Sequence, residues 1–197
     1  MRPTDRSPVH DGGGRVTASA VAAPRRQPPQ NGIAMITLTD ETLRASFTNA
    51  TRREVADLTL PAGFDDLDWA SLDLLGWRDP KYARRAYVVV PVGDEVVGVV
   101  LQQGTAAPRS RAQCTWCQDV TLPNDVAFFS ARRSGAAGRA GDTVGTLVCS
   151  DFQCSANVRV APPVAYLGFD VEAAKASRVE ALRERAAGFV GAVQNGV

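Results

Sequence analysis

Residues 114–120 read CTWCQDV and residues 149–154 read CSDFQC, and these two stretches hold all four cysteines of the chain. Cys114 and Cys117 are spaced C-x2-C, Cys149 and Cys154 are spaced C-x4-C, and residues 118–148 lie between the pairs. Close cysteines can exchange electrons, close a disulfide or present thiolates to a metal. A thioredoxin-like redox site would need a βαβ context and would leave the second pair without a role. Two short pairs across a hairpin-sized spacer fit a structural zinc site better. Each pair occupies a tight turn whose N–H groups point at sulfur, and folding brings both turns around one tetrahedral ion. Four thiolates close the coordination sphere, so such a site supports structure and not catalysis. The spacings are not those of ferredoxin iron–sulfur ligation.

The spacer has a matching pattern. VAFFSARR (126–133) and TVGTLVC (143–149) read as two strands that deliver the second pair from a hairpin end. SDFQCSANVR (150–159) then starts a short helix with Cys154 in its first turn. Knuckle, hairpin and ligand-bearing helix together make a treble clef over about residues 110–165. Between the strands, SGAAGRAG places Gly135, Gly138 and Gly141 three apart, but no Lys-Ser or Lys-Thr follows and no helix opens there, so it reads as a flexible hairpin tip.

Working outward, RAYVVVPV (85–92) and VVGVVLQQ (96–103) are β-branched runs separated by Gly-Asp-Glu, a hairpin signal. Upstream, a helix is predicted from Asp40 to just before Pro61, capped by Thr39 or Asp40, with Leu43, Phe47, Ala50, Val55 and Leu58 near a 3.6-residue period. A second short helix is predicted over DDLDWASLDLLGW (65–77), turning Leu67, Leu72, Leu75 and Trp77 inward. A last helix from about Asp170 to Gln194 has one apolar stripe of Val179, Leu182, Ala186, Phe189, Val190 and Val193. The expected fold class is therefore α+β: a small antiparallel sheet, flanking helices and a treble-clef zinc finger with four cysteine ligands. Residues 1–34 are rich in Gly, Pro, Arg and Gln without apolar period, and read as a disordered tail before an α+β domain over 35–197; Met35 reads as the natural start.

Composition narrows the function. With 45% hydrophobic and 22% charged residues the chain is globular, and a net charge of +1 gives no global case for nucleic-acid binding. The longest apolar run is cut by Asp94 and Glu95 and falls short of a membrane span, and the N-terminus lacks an apolar signal core, which places the protein in the cytoplasm. The single histidine, His10, lies in the tail, so Ser-His, Cys-His and His-metal catalysis are unavailable. No enzyme activity or small-molecule substrate is expected. Arg109, Arg111, Arg132, Arg133, Arg139 and Arg159 surround the zinc module and interleave with Trp116, Phe128, Phe129 and Phe152. That mixture suits a protein interface and equally an RNA surface.

CTWCQDV together with FFSARRSGAAGRAGDTVGTLVCSDFQCSANVR resembles the elongation-factor-G-binding proteins with a C-terminal treble-clef zinc finger, the group that includes fusidic-acid resistance proteins. The resemblance is close over about residues 110–165 and looser from Thr39 onward. It implies a non-catalytic protein that binds elongation factor G and promotes its release from the ribosome, with a link to fusidic acid tolerance. By position it implies Cys114, Cys117, Cys149 and Cys154 as ligands of a structural Zn2+, and a partner surface near the finger with Arg132, Arg133, Phe152 and Arg159 as candidates. Fewer residues precede the hairpin than in the resistance proteins, which have a larger helical N-terminal domain. Ribosomal or structured RNA binding is the alternative reading, and a thiol redox sensor a third.

Overall fold

The computed structural model describes residues 35–105, 112–120, 125–164 and 166–194. The predicted tail over 1–34, and with it His10, lies outside the described residues, as do Arg109 and Arg111. Five strands, β1 (Leu75–Arg78), β2 (Arg85–Val92), β3 (Glu95–Gln103), β4 (Val126–Arg132) and β5 (Thr143–Cys149), form one antiparallel sheet in sequential order. The predicted β2–β3 hairpin pairs over its whole length, from Arg85 opposite Gln102 to Val92 opposite Glu95. Its two-residue turn has Gly93 at φ 59°, the left-handed conformation that lets the turn follow the twist of the strands. The predicted β4–β5 hairpin is likewise present, from Val126 opposite Cys149 to Arg132 opposite Thr143.

Strands β3 and β4 pair at Gln102–Ser130 and Gln103–Phe129, continued by Gly104 N–H donating to Phe128 O (2.8 Å), and the sheet parts on the other side, toward Val100 and Arg132. Asn49 fills the opening. Its Nδ2 donates to the carbonyls of Val100 (3.1 Å) and Arg132 (2.8 Å), and its Oδ1 accepts from Val100 N–H (2.8 Å). A buried side chain thus stands in for a missing stretch of ladder and satisfies backbone groups that would otherwise be orphaned.

The same opening breaks the helix predicted from Asp40 to Pro61. Two short helices take its place, α1 (Asp40–Ala45) and α2 (Arg52–Ala56). Between them the chain pairs with the exposed edge of β3: Gly98 N–H donates to Ser46 O (2.9 Å) and Thr48 N–H donates to Gly98 O (3.0 Å). Each helix starts in a capping box, Thr39 with Thr42 and Thr51 with Glu54, which serves the N–H groups a helix start leaves unpaired.

The helix predicted over 65–77 is also corrected. The segment makes two 3-10 turns, Phe64–Asp66 and Trp69–Ser71, and then becomes β1. Leu75 and Trp77 point to one face of the sheet because alternate strand residues do so, and Trp77 lies 5.0 Å from the Tyr87 ring opposite it on β2. Trp77 Nε1 donates to Thr59 O (2.9 Å), so the indole is buried with its polar atom satisfied.

The sheet separates two cores. On one face, Leu75, Trp77, Tyr87 and Val89 pack under Met35, Leu38, Leu43, Leu58 and Phe64. On the other, the inward residues of β2–β5 pack under α5 (Val171–Gln194) through Leu182, Ala186, Phe189, Val190 and Val193, with Val179 half-buried at the edge of the predicted stripe. The predicted flexible tip contains a short helix, α3 (Gly135–Arg139), closed by Asp142 N–H to Ala137 O (3.0 Å) and tied to α5 by Ser134 N–H to Val193 O (2.9 Å). Among the described residues no helix is long and apolar enough to cross a membrane.

Candidate metal centre

Cys114 and Cys117 flank a turn in which Gln118 N–H donates to Cys114 O (3.0 Å). Cys149 ends β5, a second turn follows in which Phe152 N–H donates to Cys149 O (3.0 Å), and Cys154 opens α4 (Cys154–Arg159). Gln118 and Phe152 have φ of 53° and 58°, each just past the first cysteine turn or inside the second. Left-handed backbone at a non-glycine residue is strained, and it persists where packing over-determines it. Phe152 is such a case: its side chain is buried over Gly76, where a Cβ would lie 2.5 Å from the Phe152 Cβ, and its ring is 5.3 Å from that of Phe129.

All four sulfurs are buried and lie within 4.8 Å of one another. Cys114 Sγ is 3.7 Å from Cys154 Sγ, and Cys117 Sγ is 3.6 Å from Cys149 Sγ. A tetrahedral zinc with bonds of about 2.3 Å sets its sulfurs about 3.8 Å apart, so the donor set fits that ion in number, type and spacing. Packed so closely, the thiols hold their protons unequally. Hydrogen bonds from Cys117, Cys149 and Cys154 hold Cys114 far below the usual thiol range, while hydrogen bonding to Cys114 and then Cys117 drives Cys149 and Cys154 upward. A bound divalent cation takes the place of those protons and keeps all four groups as thiolates. Four protein ligands leave no position for water or substrate.

Further contacts fasten the centre to the rest of the fold. Cys117 N–H lies 3.5 Å from Cys114 Sγ, and Asn157 Nδ2 lies 3.5 Å from Cys149 Sγ and 3.8 Å from Cys117 Sγ. From α5, Arg185 donates to Trp116 O (3.0 Å) and Arg178 donates to Asn157 O (3.0 Å) and Val160 O (2.8 Å). Trp116 packs at 5.5 Å from Phe189 of α5. Fully buried Asp73 binds Arg159 of α4 and Arg183 of α5 (2.8 Å) through its carboxylate, and its N–H donates to Ser155 Oγ (3.0 Å). Such a buried charge is tolerable because two guanidinium groups face it.

These contacts locate the partner-surface candidates. Phe152 is part of the core, Arg159 pairs with Asp73, and Arg133 donates to Ala192 O (2.5 Å) on α5. Arg132 keeps the most exposure of the four: its guanidinium meets Glu54 at 3.3 Å, and its side chain is 47% exposed. Sequence reasoning did not single out Asn157 or Asp73. Asn157 carried a usable signal, since it lies three residues after Cys154 and so on the same helical face. Asp73 carried none, because its partners are 86 and 110 residues away.

No curated protein matches the chain. Among solved structures it is similar to the fusidic acid resistance protein FusC, with 22% identity and a TM-score of 0.42 over 54% of this chain and 47% of that one, so the chain spans about half the length of that structure. The FBP C-terminal treble-clef zinc-finger family matches residues 42–193, which takes in the whole sheet, all four cysteines and nearly all of α5. With its four cysteines gathered as a four-thiolate zinc finger requires, the chain belongs to the FBP C-terminal treble-clef zinc-finger family.

Proposed function

We propose that this chain is a non-catalytic docking protein, held in shape by zinc, that binds elongation factor G and promotes its release from the ribosome. Its family membership over residues 42–193 carries the reading. The surface beside the finger offers a contact of the right kind. Along β4 the burial alternates, so Phe129 is fully buried while Phe128 is 43% exposed. The Phe128 ring lies across Gly145, where a Cβ would meet it at 2.6 Å, and Leu147 stands opposite on β5. Arg132 shares that face two alternations along. Aromatic and arginine side chains dominate the energetics of protein interfaces. Arg132 stays exposed although it meets Glu54 and Asn49 O (3.3 Å each), whereas Arg133 and Arg159 are more fully taken up within the fold.

The test is calorimetric titration of the zinc-loaded chain against elongation factor G. Saturable one-to-one binding is expected, and the pair Phe128→Ala with Arg132→Ala weakens it by about 30-fold if the two form a hot spot of about 2 kcal/mol. Sedimentation of ribosomes carrying the factor then reads release directly, and drug tolerance would be a consequence of that release. No binding by the native chain overturns the proposal. Affinity for ribosomal RNA that falls steeply with salt would replace it with the RNA reading.

A further inference from the structure

We propose that Asn157 is the outer hydrogen-bond donor of the metal centre, bracing one sulfur from each cysteine pair and so slowing metal release. Its Nδ2 reaches Cys149 Sγ at 3.5 Å and Cys117 Sγ at 3.8 Å, and these sulfurs are themselves 3.6 Å apart. An amide NH2 carries two hydrogens, one for each sulfur. The two sulfurs come from different pairs, Cys117 from the knuckle and Cys149 from the end of β5. Asn157 therefore spans the seam along which the centre would open. Cys114 Sγ has another donor, the Cys117 N–H at 3.5 Å.

Charge gives the contact its use. Four thiolates around a divalent ion carry a net charge of −2, here in a buried site, and donors aimed at sulfur spread that charge. The arginines nearby are directed at oxygen: Arg178 and Arg185 at backbone carbonyls, Arg159 at Asp73. Asn157 supplies its donors without adding a cation that would compete with the metal. Its position is fixed from behind, because Arg178 of α5 grips the Asn157 carbonyl at 3.0 Å and the Val160 carbonyl at 2.8 Å. A cation at these last carbonyls also complements the negative end of α4.

The experiment uses the zinc-loaded full chain and a colorimetric chelator in excess. Asn157→Ala is expected to release zinc about 10-fold faster, the lower end of the effect that outer-shell partners have on metal affinity. Asn157→Asp is expected to be faster still, since it is the same size but sets a carboxylate against two thiolates. The cobalt(II)-substituted protein gives a second readout. Losing hydrogen bonds raises the energy of the sulfur lone pairs, so the sulfur-to-cobalt charge-transfer band moves to lower energy in Asn157→Ala. Arg178→Ala, which loosens α4 without touching sulfur, leaves the band in place. Circular dichroism checks the fold of each loaded variant, and if Asn157→Ala fails that check the isosteric Asn157→Asp carries the comparison. An unchanged release rate or an unchanged band overturns the proposal, as does an Arg178→Ala protein that reproduces both changes.

Discussion

The two faces of this sheet are covered by different means. One carries α5, a single helix of 24 residues, together with the cysteine cluster. The other carries helices of 6 and 5 residues and two 3-10 turns of 3. Isolated helices shorter than about 12 residues are marginal in water, so the second cover cannot owe its shape to local propensity. It is held by long-range bonds instead. Arg44 of α1 donates to Val55 O (2.6 Å) and Leu58 O (3.1 Å), Asn49 bridges β3 and β4, and edge-on aromatic contacts join Phe47 to Trp77 (6.5 Å) and Tyr87 (5.8 Å). One cover rests on a helix with its own periodicity and on a metal, the other on side chains satisfying backbone groups of neighbours.

The comparison breaks most visibly at the metal. Cys149→Ser is expected to lose zinc and with it the packing of α4 and α5, since structural zinc contributes on the order of 10 kcal/mol of apparent binding free energy in finger peptides. Trp116 should then become solvent-exposed, while Trp77 on the opposite face keeps its buried environment. Metal analysis and fluorescence of single-tryptophan variants check both halves. Simultaneous loss of the Trp77 signal would show that the two covers stand or fall together.

A smaller effect probes the link between them. Gly76→Ala places a Cβ 2.5 Å from Phe152 Cβ and Cγ, atoms too near the backbone to swing away. A destabilisation of about 1–3 kcal/mol is expected from such overpacking, read by denaturant unfolding, with faster loss of zinc because Phe152 precedes Cys154 by two residues. Asn49→Ala acts on the metal-free cover. It orphans the Val100 N–H and deprives two carbonyls of a donor, costing about 2 kcal/mol in the same assay, with zinc affinity unchanged.

The smallest effect depends on pH. Burial alone would raise the pKa of Glu54, but hydrogen bonds from Thr51 and the nearby charges of Arg132 and Arg85 outweigh it and hold the carboxyl below its ordinary value. A carboxylate depressed in the folded state stabilises above its unfolded pKa of about 4.3, and the contribution is lost as pH falls through the lower, folded value. Glu54→Gln should therefore lower stability at pH 7 by less than about 1 kcal/mol, and the difference from the native chain should vanish in acid. A difference that persists unchanged at low pH would assign the effect to the amide and not to the charge.

The same contrast explains how much was legible. The cysteine spacing identified the metal-binding group because ligand spacing is a local constraint that each turn imposes on its own pair. The β2–β3 and β4–β5 hairpins and α5 were readable because β-branched alternation, a short turn and a 3.6-residue stripe are properties of contiguous residues. The helix expected over 40–60 failed at Ser46–Thr48, whose backbone pairs with Gly98, some 50 residues onward, at an edge no local signal reveals. The helix expected over 65–77 failed because Leu72, Leu75 and Trp77 are apolar in either period, and pairing with β2 chose the strand.

By itself, then, the sequence determined an α+β chain with an antiparallel hairpin, a terminal helix with one apolar stripe and a four-thiolate finger, because each is encoded at short range. Only the tertiary structure decided that Phe152 faces the core while Phe128 faces solvent, that Asp73 gathers Arg159 and Arg183, and that Asn157 reaches two sulfurs. Those outcomes depend on which surfaces meet after the sheet closes, and a residue's burial or partner there is set by elements far away along the chain.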